Sequence, residues 1–423
     1  MSGDDHLPER PPSLKGSSWL ERASTQAVLE ALKGGGFEGR VVGGAVRNAL
    51  IGAPVKDIDI ATTAPPEEVM HLAAAAGLSA IPTGLAHGTV TVIAHHDPIE
   101  VTTLRRDVET FGRHARVTFT TEWAEDAARR DFTLNALYCG LDGTVHDPVG
   151  GYGDLLARRV RFIGDARARI REDYLRILRF FRFTATYAEG TPDPEGLAAA
   201  IDLADGLAQL SAERVRAELL RLLSAPRAVE IARVMADAEL IRALIGTAGD
   251  IGLLERLAEI EAGLALDPDP LLRLAALAGG GRAMIGLATR LRLSNTEGER
   301  LARLMLRDRA FDPATDVREA RAFLYRFGEE AFRDGVMLAW AQGGAAAESS
   351  HWRERFAVPS HWSVPTLPVR GSDLLARGLA EGPAIGRVMR TFEDWWIGED
   401  FATDEVLLAH KLSDIIKANR DPH

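Results

Sequence analysis

The stretch Val41-Val42-Gly43-Gly44-Ala45-Val46-Arg47-Asn48 is followed by Asp57-Ile58-Asp59-Ile60-Ala61-Thr62, with 12 residues between Gly44 and Asp57. Side chains of an extended segment alternate between two faces, so Asp57 and Asp59 leave one face while Ile58 and Ile60 point into a core. Two carboxylates side by side repel each other unless a cation or a shared proton offsets them. An oxygen-only pair suits Mg2+, which keeps waters and takes phosphate oxygens as further ligands. Metal ions held there are suited to activating an attacking hydroxyl and stabilising a leaving pyrophosphate. Glu100, in Ile99-Glu100-Val101, lies on a second apolar segment that can run alongside, offering a third carboxylate as ligand or general base. Gly43 and Gly44 lack side chains that would keep backbone N–H groups from a phosphate, and Arg47 is placed to reach the same group.

Working outward, short apolar stretches at 40–42, 55–60, 89–94 and 99–104 read as strands, with helices over 21–33 and 67–76. His95-His96-Asp97-Pro98 joins the last two strands as a hairpin connection. Beyond about 165 the pattern changes to helical segments at 169–187, 195–208, 212–224, 227–244, 252–263, 270–278, 295–308 and 316–327, without a strand. Ser211 stands as an N-cap before one of them. The expected fold class is α+β. A disordered lead-in (1–20) precedes a mixed-sheet head (21–164), followed by an all-helical neck (165–225), body (226–355) and tail (356–423).

The 423 residues carry a net charge of -11 with 46% hydrophobic content, a globular composition long enough for several modules. The polar N-terminus is no secretory signal, and no apolar run reaches the roughly 18–20 residues that span a bilayer. One cysteine, Cys139, excludes a disulfide framework. A soluble, cytoplasmic protein without a membrane partner is expected; the oligomeric state is not legible. Of 50 basic residues only five are lysines. Residues 151–183 hold nine arginines against Asp154, Asp165, Glu172 and Asp173, a local excess of +5 in an acidic chain. Such an island suggests a site for phosphates.

Inside that island, Glu172-Asp173-Tyr174-Leu175-Arg176-Ile177-Leu178-Arg179-Phe180-Phe181-Arg182 reads as one helix with Asp173, Arg176, Arg179 and Arg182 climbing one side. A carboxylate only accepts hydrogen bonds and a guanidinium only donates them. Cytosine and adenine both present an amino donor beside a ring-nitrogen acceptor. Asp173 and Arg176 together therefore suit CTP and ATP and reject uracil and guanine, whose polarity is reversed. Arg179 and Arg182 are left to serve phosphates or to hold the pair in place.

The Gly-Gly and Asp-Ile-Asp-Ile spacing resembles the signature of the polymerase-β-like nucleotidyltransferase superfamily. Its extended form, with Gly43-Gly44-Ala45-Val46-Arg47 and Asp57 to Thr62, is similar to the class II tRNA nucleotidyltransferase (CCA-adding enzyme) and bacterial poly(A) polymerase family. The resemblance implies a nucleotidyltransferase head, with Asp57 and Asp59 on Mg2+ and Asp173 and Arg176 as the amino-acid template for both nucleotides. It also implies nucleotide contacts from Arg179 and Arg182. The segment Arg129-Arg130-Asp131-Phe132-Thr133-Leu134-Asn135-Ala136 matches a further family motif, implying that Arg129, Arg130, Asp131 and Asn135 contact triphosphate and sugar. Residues 105–118, with Gly112, match the loop linked to nucleotide switching; 210–215 and 371–374 fit more loosely. The likeness is strong over 40–225 and partial at 366–400. It departs at Asn48, where an aspartate is common. The implied activity is addition of CCA to the 3′ end of tRNA from CTP and ATP, with release of pyrophosphate. A poly(A) polymerase, an A-adding or C-adding member, and a catalytically silent RNA-binding module are the alternatives.

Overall fold

A computed structural model describes residues 10–111, 114–305 and 308–420, and the chain divides into two compact units, Met1–Gly246 and Thr247–His423. The lead-in is not disordered throughout. From Ser13 onward it packs, with the Leu14 N–H donating to Gly143 O at 2.8 Å and Leu14, Trp19 and Leu20 buried. Three apolar side chains in a polar run are enough to anchor it; residues 1–9 lie outside the described residues.

The first unit then runs α1 (Ala23–Gly34), β1 (Gly39–Val42), α2 (Gly44–Leu50), β2 (Asp59–Thr62), α3 (Pro66–Ala75), β3 (Ser79–Gly84), β4 (Thr89–Ala94) and β5 (Asp97–Thr103). A hairpin of β6 (Arg105–Phe111) and β7 (His114–Phe119) stands as a separate sheet, followed by α4 (Trp123–Ala128), β8 (Tyr138–Gly140), β9 (Val145–His146) and α5 (Gly151–Leu156). Gly112 of the expected switching loop falls outside the described residues. The main sheet is mixed, in the order β3-β4-β5-β2-β1-β8-β9, with β2 and β5 parallel. Three of its strands are not evident in the sequence. β3 is an edge strand carrying Pro82 and Gly84, which belong at edges, and β8 and β9 are too short to show a period. His95 and His96 take positive φ, 50° and 71°, as the two central residues of a tight hairpin. Asp97 and Pro98 therefore belong to β5 rather than to the connection.

The helical remainder of this unit is α6 (Ala166–Glu172), α7 (Leu175–Tyr187), α8 (Pro194–Asp202), α9 (Ala212–Leu223), α10 (Ala228–Asp237) and α11 (Leu240–Ile245). The single helix expected over 169–187 is two. Asp173 breaks it with extended backbone (φ -155°, ψ 108°), and its carboxylate accepts the Leu175 N–H at 3.1 Å. A short carboxylate side chain offers the backbone this local alternative to helix. Glu239, in the left-handed region at φ 58°, likewise divides 227–244. Ser211 occupies the N-cap position of α9, but its side chain makes no capping bond. The apolar face of α7 (Ile177, Leu178, Phe180, Phe181, Phe183) is buried, and Phe132 and Phe162 pack onto Phe180 from the head.

The second unit comprises α12 (Ile251–Gly263), α13 (Pro270–Leu277), α14 (Leu287–Arg290), α15 (Asn295–Leu304), α16 (Val317–Gly343), α17 (Ser350–His361), α18 (Gly371–Ala376), α19 (Pro383–Gly398) and α20 (Glu405–Arg420), with no strand among the described residues. The reading that ended a helix at 327 met the kink at Gly328 (φ 84°), beyond which α16 continues. Among the described residues no helix is long and apolar enough to cross a membrane.

Candidate active site

The sheet register sets the acids. Asp59 lies opposite Val42 of β1 and opposite Glu100 of β5, and Glu100 lies opposite Thr91 of β4. The ladder begins only at Asp59, so Asp57 sits on the extended lead into β2 rather than within it. The alternation still holds: Ile58 and Ile60 are buried, while Asp57 and Asp59 are exposed. Asp57, Asp59 and Glu100 line a cleft of about 510 Å³. Partial burial pushes the Asp59 carboxyl up, the negative charges of Glu100 and Asp57 push the same way, and Arg130 opposes them. A carboxylate pair with excess negative charge and, among the described residues, no ion-pair partner is a donor set that fits a divalent cation. Among the described residues no three metal-binding side chains converge closely enough to cage one. An oxygen-only pair of this kind fits Mg2+ held by one or two carboxylates with phosphate and water completing its shell.

Beside Asp59, β1 ends in a turn that only glycine takes readily: Gly43 has φ 72° and ψ -120°. A Cβ on Gly43 would lie 3.5 Å from Asn135 O. Arg47, on the short α2, is buried, and its donors go to neutral acceptors. Nη1 reaches Asn135 Oδ1, Nε and Nη2 reach Asn48 Oδ1 at 3.1 and 3.0 Å, and Nη2 reaches Tyr187 Oη at 2.6 Å. Its guanidinium also lies 4.0 Å from the Tyr187 ring centre. Burial pulls its pKa down from the ordinary value. The residue expected to reach out to a phosphate thus ties α2 to the end of α7.

Asn135 passes the chain on, its Nδ2 donating to Asp131 Oδ1 at 3.0 Å. Asp131 also accepts from the Phe132 N–H at 2.8 Å and from Arg179 Nε at 2.7 Å. Burial works to raise this carboxyl, but the Arg179 charge and these hydrogen bonds hold it below the ordinary range. Arg182 donates to buried Glu218 at 2.6 Å and lies over the Phe183 ring at 4.2 Å. Arg129 and Arg130 share one partner, buried Asp126, at 2.8 and 2.9 Å. Tyr138 Oη donates to the same carboxylate at 2.8 Å.

The template pair is arranged differently from the expectation. Asp173 is off the helix, and its partner is Arg214 of α9, which grips both carboxylate oxygens at 3.2 and 2.6 Å. Arg176 pairs with Glu172 and donates to Arg169 O at 2.9 Å and to Arg129 O at 3.4 Å. Four partners were missed in the sequence: Asp126, Arg214, Glu218 and Tyr187. Only Asp126 had a local signal, three and four residues before Arg129 and Arg130 on a helix. Arg214 and Glu218 meet residues 41 and 36 positions away.

The poly A polymerase head domain family matches residues 39–161, and residues 191–246 match the family described as a probable RNA- and SrmB-binding site of polymerase A. The mitochondrial CCA tRNA nucleotidyltransferase 1 of Danio rerio is 37% identical over 369 residues, covering 85% of this chain and 83% of that protein. A CCA-adding enzyme of Levilactobacillus brevis is 31% identical over 395 residues, covering 92% and 94%. The fold matches a crystal structure of the Bacillus stearothermophilus CCA-adding enzyme in complex with CTP, with a TM-score of 0.71 and 28% identity over 94% of this chain and 97% of that one. Relatives alike over most of both lengths, together with a glycine turn flanking paired carboxylates, place this chain in the CCA-adding tRNA nucleotidyltransferase family.

Proposed function

We propose that this protein adds CCA to the 3′ end of tRNA, joining CMP and AMP from CTP and ATP and releasing pyrophosphate. The observation that carries this reading is the row Thr91–Glu100–Asp59–Val42 across the sheet, which sets two carboxylates directly beside the Gly43–Gly44 turn. The terminal hydroxyl oxygen bonds to the α-phosphorus of the nucleotide as the bond to the bridging oxygen of pyrophosphate breaks. Asp57 and Asp59 are the residues that would hold Mg2+, which when bound supplies positive charge to the reacting phosphate oxygens. Glu100, directly opposite Asp59 across the sheet, takes the hydroxyl proton.

Arg130 is held by Asp126 within electrostatic reach of Asp59, where it steadies the triphosphate. Asp173 reads the base amino group. A carboxylate has about four acceptor positions, and Arg214 with the Leu175 N–H fills three of them, leaving one for cytosine or adenine. Arg176 donates to the ring nitrogen, and Arg179 and Arg182 hold this wall through Asp131 and Glu218. A cytoplasmic site of action suits a chain whose single cysteine, Cys139, is buried and free.

The deciding experiment offers three tRNA transcripts, ending before CCA, after C and after CC, with each nucleotide alone and with CTP plus ATP. CCA addition that then stops is expected. Addition of A alone or C alone would mean a partial enzyme, long A tails a poly(A) polymerase, and no incorporation a silent RNA-binding protein.

A further inference from the structure

The N-terminal segment and the lead into β2 bring two cations to the acidic cleft that the reaction described so far does not use. Arg22 stands at the N-cap position of α1 without making a side-chain cap bond. Lys56 immediately precedes Asp57. Both line the same cleft as Asp57, Asp59 and Glu100, both are exposed, and neither has an ion-pair partner among the described residues. Opposite charges that share a cleft and leave one another unpaired are arranged for ligands from outside. Arg22 is fixed there by the lead-in, through buried Trp19 and Leu20 and through Thr25 Oγ1 and Gln26 Nε2, which donate to Trp19 O at 3.1 Å and Leu20 O at 2.7 Å.

The side of the row on which these cations stand says which ligand. Across the sheet the order is β4, β5, β2, β1, β8. The Gly43–Gly44 turn and Arg130 lie beyond Asp59 on the β1–β8 side. The strand residues that line the cleft with Arg22 and Lys56 come from β2 and its lead (57–59) and from β4 and β5 (Thr91 and 97–100), with none from β1 or β8. In-line displacement requires the attacking oxygen and the leaving pyrophosphate on opposite sides of the α-phosphorus. With the triphosphate toward the glycine turn, the RNA end approaches from the β4–β5 side. Its backbone phosphates then meet Asp57, Asp59 and Glu100 unless cations stand between.

We propose that Arg22 and Lys56 form a seat for the backbone phosphates of the last nucleotides of the RNA acceptor strand, delivering its 3′ end past the carboxylates. The proposal rests on the function assigned above. Its test is the affinity for a tRNA transcript lacking CCA, measured by filter binding, alongside steady-state kinetics. Arg22→Ala and Lys56→Ala are each expected to raise Kd and KM for tRNA about threefold, and the double variant about tenfold, with the salt dependence of log K falling by about 0.7 per cation removed. KM for CTP and ATP stays unchanged, as does kcat at saturating tRNA, and Arg22→Lys restores the affinity. Weaker nucleotide or pyrophosphate binding with unaltered tRNA affinity would overturn the proposal in favour of a pyrophosphate exit. Unaltered affinity for all three would overturn it outright. A wild-type protein that adds no nucleotide while the variants still lose tRNA affinity would refute the assigned reaction and leave the RNA seat standing.

Discussion

Replacing Asp131 tests whether the buried network behind the nucleotide wall is electrostatic in the way its geometry states. The carboxylate accepts from the Phe132 N–H, from Asn135 Nδ2 and from Arg179 Nε at 2.7–3.0 Å. Asp131→Ala leaves all three without an acceptor and Arg179 without its nearest countercharge. Breaking a buried ion pair from one side costs about 3–5 kcal/mol. The Arg179 side chain is 30% exposed, so water recovers part of the loss and about 3 kcal/mol is the reasoned figure. For a unit of this size each kcal/mol moves the melting midpoint by about 2–4 °C, giving a fall of about 6–12 °C. Asp131→Asn keeps an oxygen for the Phe132 N–H but removes the charge, and about half that fall is expected. The pH dependence carries the sign. This carboxyl lies below its unfolded value, so its contribution is complete above the unfolded pKa of about 4 and is lost as pH falls through the lower folded value. Scanning calorimetry of wild type and Asp131→Asn between pH 7 and pH 3 should show a constant gap that closes only at the acid end. A midpoint within 1 °C of wild type at pH 7, or a gap that widens on acidification, would refute the reasoning.

Three further expectations are sharper in activity than in stability. Asp59→Ala should cut incorporation by roughly two to three orders of magnitude while tRNA retention on filters is unchanged; normal turnover would end the carboxylate assignment. Asp173→Ala should narrow the preference for CTP over UTP far more than it slows CTP addition, which single-nucleotide incorporation reads directly. Tyr187→Phe keeps the ring beneath the Arg47 guanidinium but removes the hydroxyl that accepts from it at 2.6 Å. It should cost about 1 kcal/mol, seen as a small fall in melting midpoint, and a neutral result would show that Asn48 and Asn135 suffice for Arg47.

The division between what sequence and tertiary structure decide follows the range of each interaction. Features set within a few residues were legible in the chain: the glycine turn before α2, the alternation that sends Asp57 and Asp59 to one face, and an apolar strand around Glu100. So was the change from sheet to helix near 165. The helical pattern fails where a side chain competes with the backbone, as at Asp173, whose carboxylate accepts the Leu175 N–H instead of joining the arginine stripe. Residues 13–20 of the lead-in depart from the disorder expected of them because three buried apolar residues, Leu14, Trp19 and Leu20, outweigh a polar composition once a surface exists to receive them. The partners lay beyond sequence altogether. Arginines repeat so often here that which one meets which acid is settled only by packing α7 between α9 and the head. That packing gives Arg214 to Asp173, Glu218 to Arg182, Asp131 to Arg179, and to Arg47 the neutral acceptors Asn48, Asn135 and Tyr187. A buried charge must be matched from whatever elements the fold brings against it, and that neighbourhood exists only in three dimensions.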